Sequence, residues 1–471
     1  MVQGVSSSAG KSLLVTALAR WFSRRGVRVA PFKAQNMSNN ARVVSGGEIG
    51  VAQYLQARAA GIEPDVRMNP ILVKPEGDTR SQVVVDGRVD LALSGLPWQE
   101  RGALLWPAAE RALRELLTEY ELVLLEGAGS PAEINLRSTD LANMRSARVA
   151  NATVLLVGDI DRGGVFAHLY GTWRLLERGD RCRVRGFVLN KFRGDPTLLE
   201  PAPELLRRRT GVPTLGVLPW LSHGLPDEDG AGVPLLSGNR PRVAVVRYPT
   251  ASNLDEFRAL EQVADLVWAA HPAELADVSL VVLPGSKHVA ADRAWLRARG
   301  FDEALRRRVA AGERVLAVCG GLQLAGERFD DPVGVDGSGD GIGLLPLRTS
   351  FAAEKVVRHR GTAFAALPGP WAGLSCVELA GYEIRHGTSV ASASLREAIP
   401  DGLGWVQGPV LAVYLHGLFE HEAVLRGLFG TAAPRSLEQT FDGLADALDE
   451  HVDMDSVTSL AGVSRRRAEL S

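Results

Sequence analysis

A glycine- and serine-rich stretch near the start of the sequence has the residue types of a phosphate-binding loop. Residues 4–12 read GVSSSAGKS and are followed by a helical pattern. Backbone N–H groups in such a loop turn toward phosphate oxygens, a lysine reaches the terminal phosphates and a serine hydroxyl binds Mg²⁺. We therefore predict a nucleotide-binding loop made by Gly4, Ser8, Gly10, Lys11 and Ser12.

A cysteine between an apolar strand and a helix has the setting of a nucleophile. Residues 314–326, RVLAVCGGLQLAG, place Cys319 at a sharp turn, where the start of the helix favours the thiolate. His416 ends another apolar strand in VYLHGLFE and could take the thiol proton and return it to a leaving group. These two residues are the predicted catalytic pair.

The surroundings of Cys319 follow the class I glutaminase pattern G-x-C-x-G-x-Q, with Ala317 in place of the first glycine and Gln323 in the last position. Backbone N–H groups at Gly285, Ser286 and Gly320 are predicted to form an oxyanion hole. Related glutaminases carry a carboxylate two residues after the histidine. That position holds Leu418, and Glu420 lies four residues on, so we predict a cysteine–histidine dyad.

Polar side chains also follow later apolar strands, at the edge where open parallel sheets bind ligands. Glu126 leaves a strand in LLEGAGS and is a candidate Mg²⁺ ligand. Asp159 and Asp161 in VGDIDRGG and Asn190 in FVLNKF follow two more strands. The Asn190 amide has the donor and acceptor that a purine edge needs.

Six segments carry a resemblance to a known family. They are APFKAQNMSNN (30–40), GGEIGVAQ (46–53), MNPILVKP (68–75), EGAGSPAEINL (126–136), DIDRGGVFA (159–167) and NKFRGD (190–195). With them the chain resembles the cobyric acid synthase family over nearly its whole length. The resemblance implies ATP- and Mg²⁺-dependent amidation of the b, d, e and g carboxylates of adenosylcobyrinic acid a,c-diamide, giving adenosylcobyric acid, with ammonia from glutamine.

The same resemblance, together with that to dethiobiotin synthetase, implies further residue roles. Glu48 and Glu126 would complete a metal site with Ser12, and Lys33 would reach phosphate and the substrate carboxylate. Asn190 would contact adenine. Asp159 and Asp161, which stand at the end of a strand, are expected to contact the corrinoid polycarboxylate substrate.

The elements that must position these residues indicate an α/β fold of two domains. Continuous Val- and Leu-rich runs such as ATVLLVGDID are typical of parallel strands buried on both faces. We predict a dethiobiotin synthetase-like P-loop amidoligase domain over 1–225 and a Gly- and Pro-rich linker over 226–240. A class I glutamine amidotransferase-like domain with a C-terminal helical tail would fill 241–471.

Composition narrows the function classes. The formal charge of −2 gives no electrostatic ground for binding nucleic acid or an anionic membrane, and no run of 18 apolar residues occurs. We therefore expect a cytoplasmic enzyme. Three cysteines lack metal-ligand spacing. Only 6 of the 53 basic residues are lysines, which marks those positions as ones that favour a compact ammonium.

Two alternatives stay open. One is another glutamine-dependent amidoligase, such as cobyrinic acid a,c-diamide synthase or a ligase acting on a cell-wall precursor. The other is a MinD-type partition ATPase, which shares the variant loop with five residues between Gly4 and Gly10. Its signature lysine would fall at Ser6, and it leaves the glutaminase pattern unexplained. The oligomeric state is not indicated by the sequence.

Overall fold

The computed structural model describes residues 1–471 except 77–79, 222, 226–239, 432–434 and 464–471. The predicted linker, 226–240, lies outside the described residues apart from Arg240. Two lobes are named below by their residues: the first lobe is residues 1–221 and 436–463, and the second lobe is residues 240–431. Within the described residues, no helix has the length and apolar character needed to cross a membrane.

Among its described residues up to 219, the first lobe contains twelve strands. They are β1 (Val2–Gly4), β2 (Val29–Phe32), β3 (Gln35–Met37), β4 (Ala41–Val44), β5 (Gly47–Gly50), β6 (Ile71–Pro75), β7 (Ser81–Val85), β8 (Arg88–Asp90), β9 (Leu122–Leu125), β10 (Val154–Asp159), β11 (Val184–Phe192) and β12 (Thr214–Pro219). Its helices up to the same point are α1 (Lys11–Ser23), α2 (Val51–Ala59), α3 (Leu91–Gly95), α4 (Trp98–Glu119), α5 (Met144–Val149), α6 (Val165–Leu175), α7 (Arg178–Arg181) and α8 (Ala202–Thr210).

A parallel sheet forms the centre of the first lobe. Its hydrogen-bonded strands run β1-β10-β11-β12, and the pair β2-β9 joins them where Gly127 N donates to Val2 O at 2.9 Å. All of these pairings are parallel. Apart from the edge strand β12, their residues are almost continuously buried because helices cover both faces, as the apolar runs predicted.

Two smaller sheets extend the first lobe beside the parallel sheet. One has the order β3-β6-β7-β8, and the other is the antiparallel hairpin β4-β5. These elements were not foreseen from the sequence. They carry residues 35–50 from the phosphate-binding loop toward the second lobe, where the hairpin packs on β21 (Leu347–Ala363) and β22 (Glu378–Ala391).

The second lobe has its own sheet. Its strands are β13 (Arg242–Val246), β14 (Ala251–Ser252), β15 (Asp265–Ala269), β16 (Leu280–Leu283), β17 (Gly285–Ser286), β18 (Val315–Val318), β19 (Arg328–Asp330), β20 (Gly339–Asp340), β21 (Leu347–Ala363), β22 (Glu378–Ala391), β23 (Arg396–Ile399), β24 (Gly404–Gln407) and β25 (Val410–Val413). Its helices are α9 (Val289–Ala298), α10 (Phe301–Ala310), α11 (Gly320–Ala325) and α12 (Glu422–Phe429). The main sheet has the order β15-β13-β16-β18-β25-β24-β23. Its first five strands are parallel, which confirms the predicted α/β class.

The C-terminal helices differ from the prediction, which placed them with the second domain. Helices α13 (Leu437–His451) and α14 (Met454–Ala461) pack on the first lobe, with α13 against α1 and β12. Phe441, Leu444 and Leu448 enter the same apolar cluster as Leu14 and Trp21. The helical pattern was correct, but periodicity alone does not identify the surface that an amphipathic helix covers.

Candidate active sites

Cys319 lies at the junction of β18 and α11, in the strand, turn and helix that the sequence predicted. Its backbone has φ 52° and ψ −107°, in a region that a residue with a side chain rarely adopts. The next residue must be small, because a Cβ on Gly320 would lie 2.4 Å from Ser286 N. The strained turn directs the Cys319 side chain into a small cavity between the lobes.

His416 follows β25 and contacts Cys319. Its Nδ1 lies 3.0 Å from Glu256 Oε1, and Glu256 Oε2 accepts a hydrogen bond from Gly417 N at 3.1 Å. The prediction of a dyad is therefore corrected, since a third group, the Glu256 carboxylate, orients the imidazole. Glu256 lies 160 residues before His416, in a 3₁₀ turn at Leu254–Arg258, so no spacing in the sequence could have paired them.

The charge state of His416 follows from this pairing. Burial opposes a charge on the imidazole, but Glu256 and Cys319 outweigh that cost and raise the pKa of His416 to about 10. The histidine is therefore protonated at neutral pH, next to the cysteine. An imidazolium beside a thiol stabilises the thiolate, which is the nucleophilic form.

The predicted oxyanion residues lie together on one side of Cys319. A Cβ on Gly285 would be 3.3 Å from His416 Cε1, and the Ser286 backbone packs against Gly320. Ser286 Oγ donates to Asp292 Oδ2 at 2.6 Å, a contact that fixes this short strand and that sequence reasoning missed. Gln323 is buried in α11, where its Nε2 donates to His386 O at 2.9 Å. These contacts leave the oxyanion assignment of Gly285, Ser286 and Gly320 as a prediction.

The phosphate-binding loop opens α1 as expected. Gly10 has φ 102°, and a Cβ there would lie 1.9 Å from Asn190 Nδ2, so the position requires glycine. Lys11 Nζ donates to Ser6 O at 3.0 Å and to Gly129 O at 3.2 Å. The lysine therefore lies across the mouth of the loop, where phosphate oxygens would meet it.

Glu126, Ser12 and Lys33 meet beside this loop. Ser12 Oγ donates to Glu126 Oε1 at 2.8 Å, and Lys33 Nζ lies 3.0 Å from the same oxygen. Gln56 Nε2 donates to the other carboxylate oxygen. Mg²⁺ binds through one or two protein oxygens together with substrate phosphates and waters. The adjacent oxygens of Ser12 and Glu126 fit that coordination.

Glu48 is not brought to this group, contrary to the prediction. Its carboxylate accepts hydrogen bonds from Lys74 Nζ at 2.7 Å and from Lys355 Nζ at 2.5 Å, at the contact between the lobes. Burial alone would raise its pKa, but the two lysines lower the pKa of Glu48 to about 2. Glu48 is thus the counter-ion of the ammonium groups of buried Lys74 and half-buried Lys355.

The structure also changes the expected contacts of three residues that follow later strands. Asn190 Nδ2 donates to Ala9 O at 2.9 Å, so the amide assigned to adenine holds the phosphate-binding loop. Asp159 pairs with Lys191 at 2.9 Å, and the same lysine donates to Ser8 O at 2.8 Å. Asp161 pairs with Arg193 at the surface. Substrate contact by Asp159 and Asp161 stays a prediction.

Comparison with known proteins supports both halves of the chain. Residues 1–227 match the model of the CobQ/CobB/MinD/ParA nucleotide binding domain, and residues 242–424 match that of the CobB/CobQ-like glutamine amidotransferase domain. A cobyric acid synthase of Variovorax paradoxus is 56% identical over 96% of this chain and 96% of its own length. One from Polaromonas naphthalenivorans is 54% identical over 98% of each chain. The chain belongs to the cobyric acid synthase family.

Solved structures give weaker likenesses. PurLQS of Thermotoga maritima aligns with 44% of this chain and 97% of its own, at 13% identity and a TM-score of 0.32. A glutamine amidotransferase from the same organism aligns with 49% of this chain and 93% of its own, at 13% identity and a TM-score of 0.28. The family relationship rests on the full-length relatives, and it confirms the predicted enzyme class, a glutamine-hydrolysing carbon–nitrogen ligase.

In this member of the cobyric acid synthase family, the two sites face adjoining cavities. A cavity of about 60 Å³ is lined by Cys319 and His416 together with Lys74, Lys287 and Lys355, three of the 6 lysines in the chain. A larger cavity, of about 500 Å³, is lined by Lys11 and Lys33 of the first lobe. The second lobe contributes Arg247, Tyr248, Pro249, Ala251 and Leu254 to its lining. Asn39 lines both cavities.

The lysines around Cys319 are poorly solvated. Burial lowers the pKa of Lys74 to about 7 and that of Lys287 to about 8. The Glu48 carboxylate is paired with both Lys74 and Lys355. Repulsion from the neighbouring ammonium groups lowers the pKa of Lys74 further, in addition to burial. The scarcity of lysine in this cobyric acid synthase relative thus coincides with a concentration of three lysines at the contact between its lobes.

Proposed function

We propose that this chain uses ATP and glutamine to amidate the b, d, e and g carboxylates of adenosylcobyrinic acid a,c-diamide, giving adenosylcobyric acid in the cytoplasm. The observation that carries the proposal is the placement of two complementary sites on adjoining cavities. One has a cysteine, a histidine and a carboxylate, and the other has a phosphate-binding loop. Asn39 is common to both linings.

The second lobe supplies ammonia. The Cys319 thiolate attacks the side-chain amide carbon of glutamine, and donors near Gly285 and Gly320 stabilise the oxyanion. His416 then gives its proton to the departing ammonia. Water attacks the resulting thioester with His416 as base, which releases glutamate and restores the thiolate and the imidazolium. Glu256 keeps the imidazole in the orientation that both proton transfers need.

The first lobe makes the carboxylate reactive. A carboxylate has little electrophilic character and no good leaving group, whereas an acyl phosphate has both. Lys11 reaches the oxygens of the transferred phosphoryl group, and Lys33 lies beside Glu126, within reach of the substrate carboxylate. Mg²⁺ held by Ser12 and Glu126 would neutralise charge on the phosphate oxygens. Ammonia then attacks the acyl carbon and displaces phosphate.

The shared wall between the cavities supports a direct transfer of ammonia. Asn39 belongs to the segment that connects Lys33 with the hairpin β4-β5, so ammonia released at Cys319 would pass this wall to meet the activated carboxylate. Exclusion of bulk water along the way would keep ammonia from being protonated and lost.

A pair of variants tests the division of labour. Cys319→Ala should abolish amidation with glutamine, yet keep amidation when an ammonium salt supplies free ammonia. Lys11→Ala should abolish both, because no acyl phosphate forms. Product amides are counted by mass spectrometry of the corrinoid. Loss of the ammonia reaction in a folded Cys319→Ala protein, or continued use of glutamine by it, would show the assignment to be wrong.

The acceptor is tested separately. ATP hydrolysis in the presence of glutamine should rise with adenosylcobyrinic acid a,c-diamide and not with cobyrinic acid lacking the two amides. The reverse preference would favour cobyrinic acid a,c-diamide synthase activity, while the two half-reactions described above would stand.

A further inference from the structure

An arginine of the first lobe reaches into the catalytic surroundings of the second. Arg42 lies in β4 and is 6% exposed. Its Nε donates to Asp255 Oδ2 at 2.9 Å, and its Nη1 pairs with Glu420 Oε1 at 2.5 Å. Asp255 immediately precedes Glu256, the partner of His416, in the 3₁₀ turn Leu254–Arg258. Arg42 therefore holds the turn that presents Glu256.

A second contact leads from Arg42 to the other side of the histidine. The guanidinium lies 5.1 Å from the ring centroid of Tyr382. That ring stacks on the imidazole of His416, with centroids 5.3 Å apart and 19° between the planes. The backbones of Tyr382 and His416 also exchange two hydrogen bonds. Arg42 thus contacts Tyr382 directly and reaches Glu256 through its neighbour Asp255.

The two buried carboxylates in the 3₁₀ turn need a positive charge beside them, and Arg42 supplies it. Asp255 and Glu256 are consecutive carboxylates, 5% and 1% exposed. Burial and the neighbouring Glu256 raise the pKa of Asp255, and Arg42 opposes the shift. Among the described residues, Asp255 Oδ1 has no hydrogen-bond partner, so the charge of this carboxylate is held through Oδ2 by Arg42. Without the arginine, a buried charge beside Glu256 would stand uncompensated, which is costly enough to displace the turn.

Arg42 also continues the chain segment that lines the larger cavity. Residues 36–40 belong to that lining together with Lys11 and Lys33. Asn40 Oδ1 accepts a hydrogen bond from Leu254 N at 3.0 Å, in the same 3₁₀ turn. His359 Nε2 lies 3.0 Å from Val43 O on the other side of the hairpin. The segment is therefore fixed to the glutaminase at its turn and at β21.

We propose that Arg42 is a positioning residue for the glutaminase, contributed by the lobe that binds ATP: it compensates Asp255 and holds the 3₁₀ turn so that Glu256 faces His416. This rests on the proposed function, in that the Cys319 site hydrolyses glutamine. It follows that full glutamine hydrolysis requires Arg42 to be paired with Asp255, and residues 36–40, which precede Arg42 in the chain, line the cavity in which the acceptor is activated.

The test uses the full chain with Cys182→Ser and Cys376→Ser, because both cysteines are exposed and would react with a thiol reagent. In this background Arg42→Met should lower the kcat of glutamate release by about tenfold or more, with a smaller change in the KM for glutamine. Alkylation of Cys319 by iodoacetamide should require a higher pH, because a displaced Glu256 no longer supports the imidazolium. Amidation from ammonium salt should stay within about twofold.

Two further variants separate positioning from folding. Arg42→Met combined with Asp255→Asn should regain most of the glutamate release, since it removes the uncompensated carboxylate with its partner. His359→Ala is the matched control, because it removes a contact between hairpin and glutaminase without touching Asp255. Its glutamate release should stay within about twofold of the parent.

Several outcomes would overturn the proposal. They are unchanged glutamate release in Arg42→Met, an unshifted alkylation profile, equal loss in His359→Ala, or no recovery in the double variant. Loss of the ammonia-dependent reaction together with a lower melting temperature would show a folding effect instead. Cys319→Ala in the same assay distinguishes these from failure of the proposed function, because it must lose glutamate release whatever Arg42 does.

Discussion

At the scale of single residues, the charge on His416 depends on Glu256. The Glu256→Gln variant keeps the size and a hydrogen-bonding oxygen but removes the negative charge. Burial is then opposed only by Cys319, so the pKa of His416 should fall from about 10. Because the imidazolium is less stabilised, we expect glutamate release to fall about 100-fold while amidation from ammonium salt persists. Glutamate assays at constant pH measure the effect.

The Glu256→Gln substitution should also change how the stability of the protein depends on pH. A histidine with a raised pKa stabilises the fold fully below the unfolded value of 6.5, and this contribution is lost as the pH rises through about 10. The melting temperature of the parent should therefore exceed that of Glu256→Gln most near pH 6, and the difference should shrink by pH 10. A difference that grows with pH would contradict the assigned charge state.

At the scale of elements, the phosphate-binding loop depends on Asn190 at the end of β11. Gly10→Ala would place a Cβ 1.9 Å from Asn190 Nδ2 at a residue with φ 102°. We expect the loop to be displaced and nucleotide affinity to fall by about tenfold or more, while glutamate release is unchanged. Adding Asn190→Ala should recover only part of the affinity, since it relieves the contact but not the backbone strain. Calorimetric titration with ATP measures this, and full recovery would show that strain at Gly10 is unimportant.

The strands differ in how well the sequence predicts them. The strands β9, β10, β11, β18 and β25 were predicted because each contains a continuous apolar run. The elbow at Cys319 and the loop at Lys11 followed from local spacing. In contrast, β21 and β22 carry many charged residues and are paired by long-range register, for which the sequence has no local signal.

The same limit explains the residues that were missed or misplaced in the sites. Glu256 and Arg42 act through contacts with residues that are distant in sequence, so their roles appear only in the folded chain. Glu48 was assigned to the metal by resemblance, yet the hairpin β4-β5 carries it to Lys74 and Lys355. Residue type was a sound guide to chemistry, but only tertiary structure decides which partner a carboxylate meets.

At the scale of the whole molecule, helix α13 near the C-terminus packs on helix α1 near the N-terminus. Helix α13 covers α1, with ion pairs between Arg20 and Glu438 at 2.9 Å and between Arg24 and Asp446 at 2.6 Å. These exposed pairs contribute little to stability compared with the apolar contact beneath them. Because α1 begins at the phosphate-binding loop, the packing of α13 on α1 helps to hold that loop in place.

The Phe441→Ala variant tests whether the packing of α13 on α1 stabilises the first lobe. Phe441 is fully buried in the cluster with Leu14 and Trp21, so truncation should cost about 3–5 kcal/mol of unfolding free energy in the first lobe. Leu437→Ala is the matched control on the same helix, since Leu437 is 39% exposed and should cost no more than about 0.5 kcal/mol. Because α1 loses its support, ATP binding and ammonia-dependent amidation should fail at a lower temperature in Phe441→Ala, whereas glutamate release at low temperature should match the parent. Thermal inactivation of the two half-reactions, followed in parallel, measures this. If Phe441→Ala impaired glutamate release first, α13 would have to be assigned to the folding unit of the second lobe, as the sequence alone had suggested.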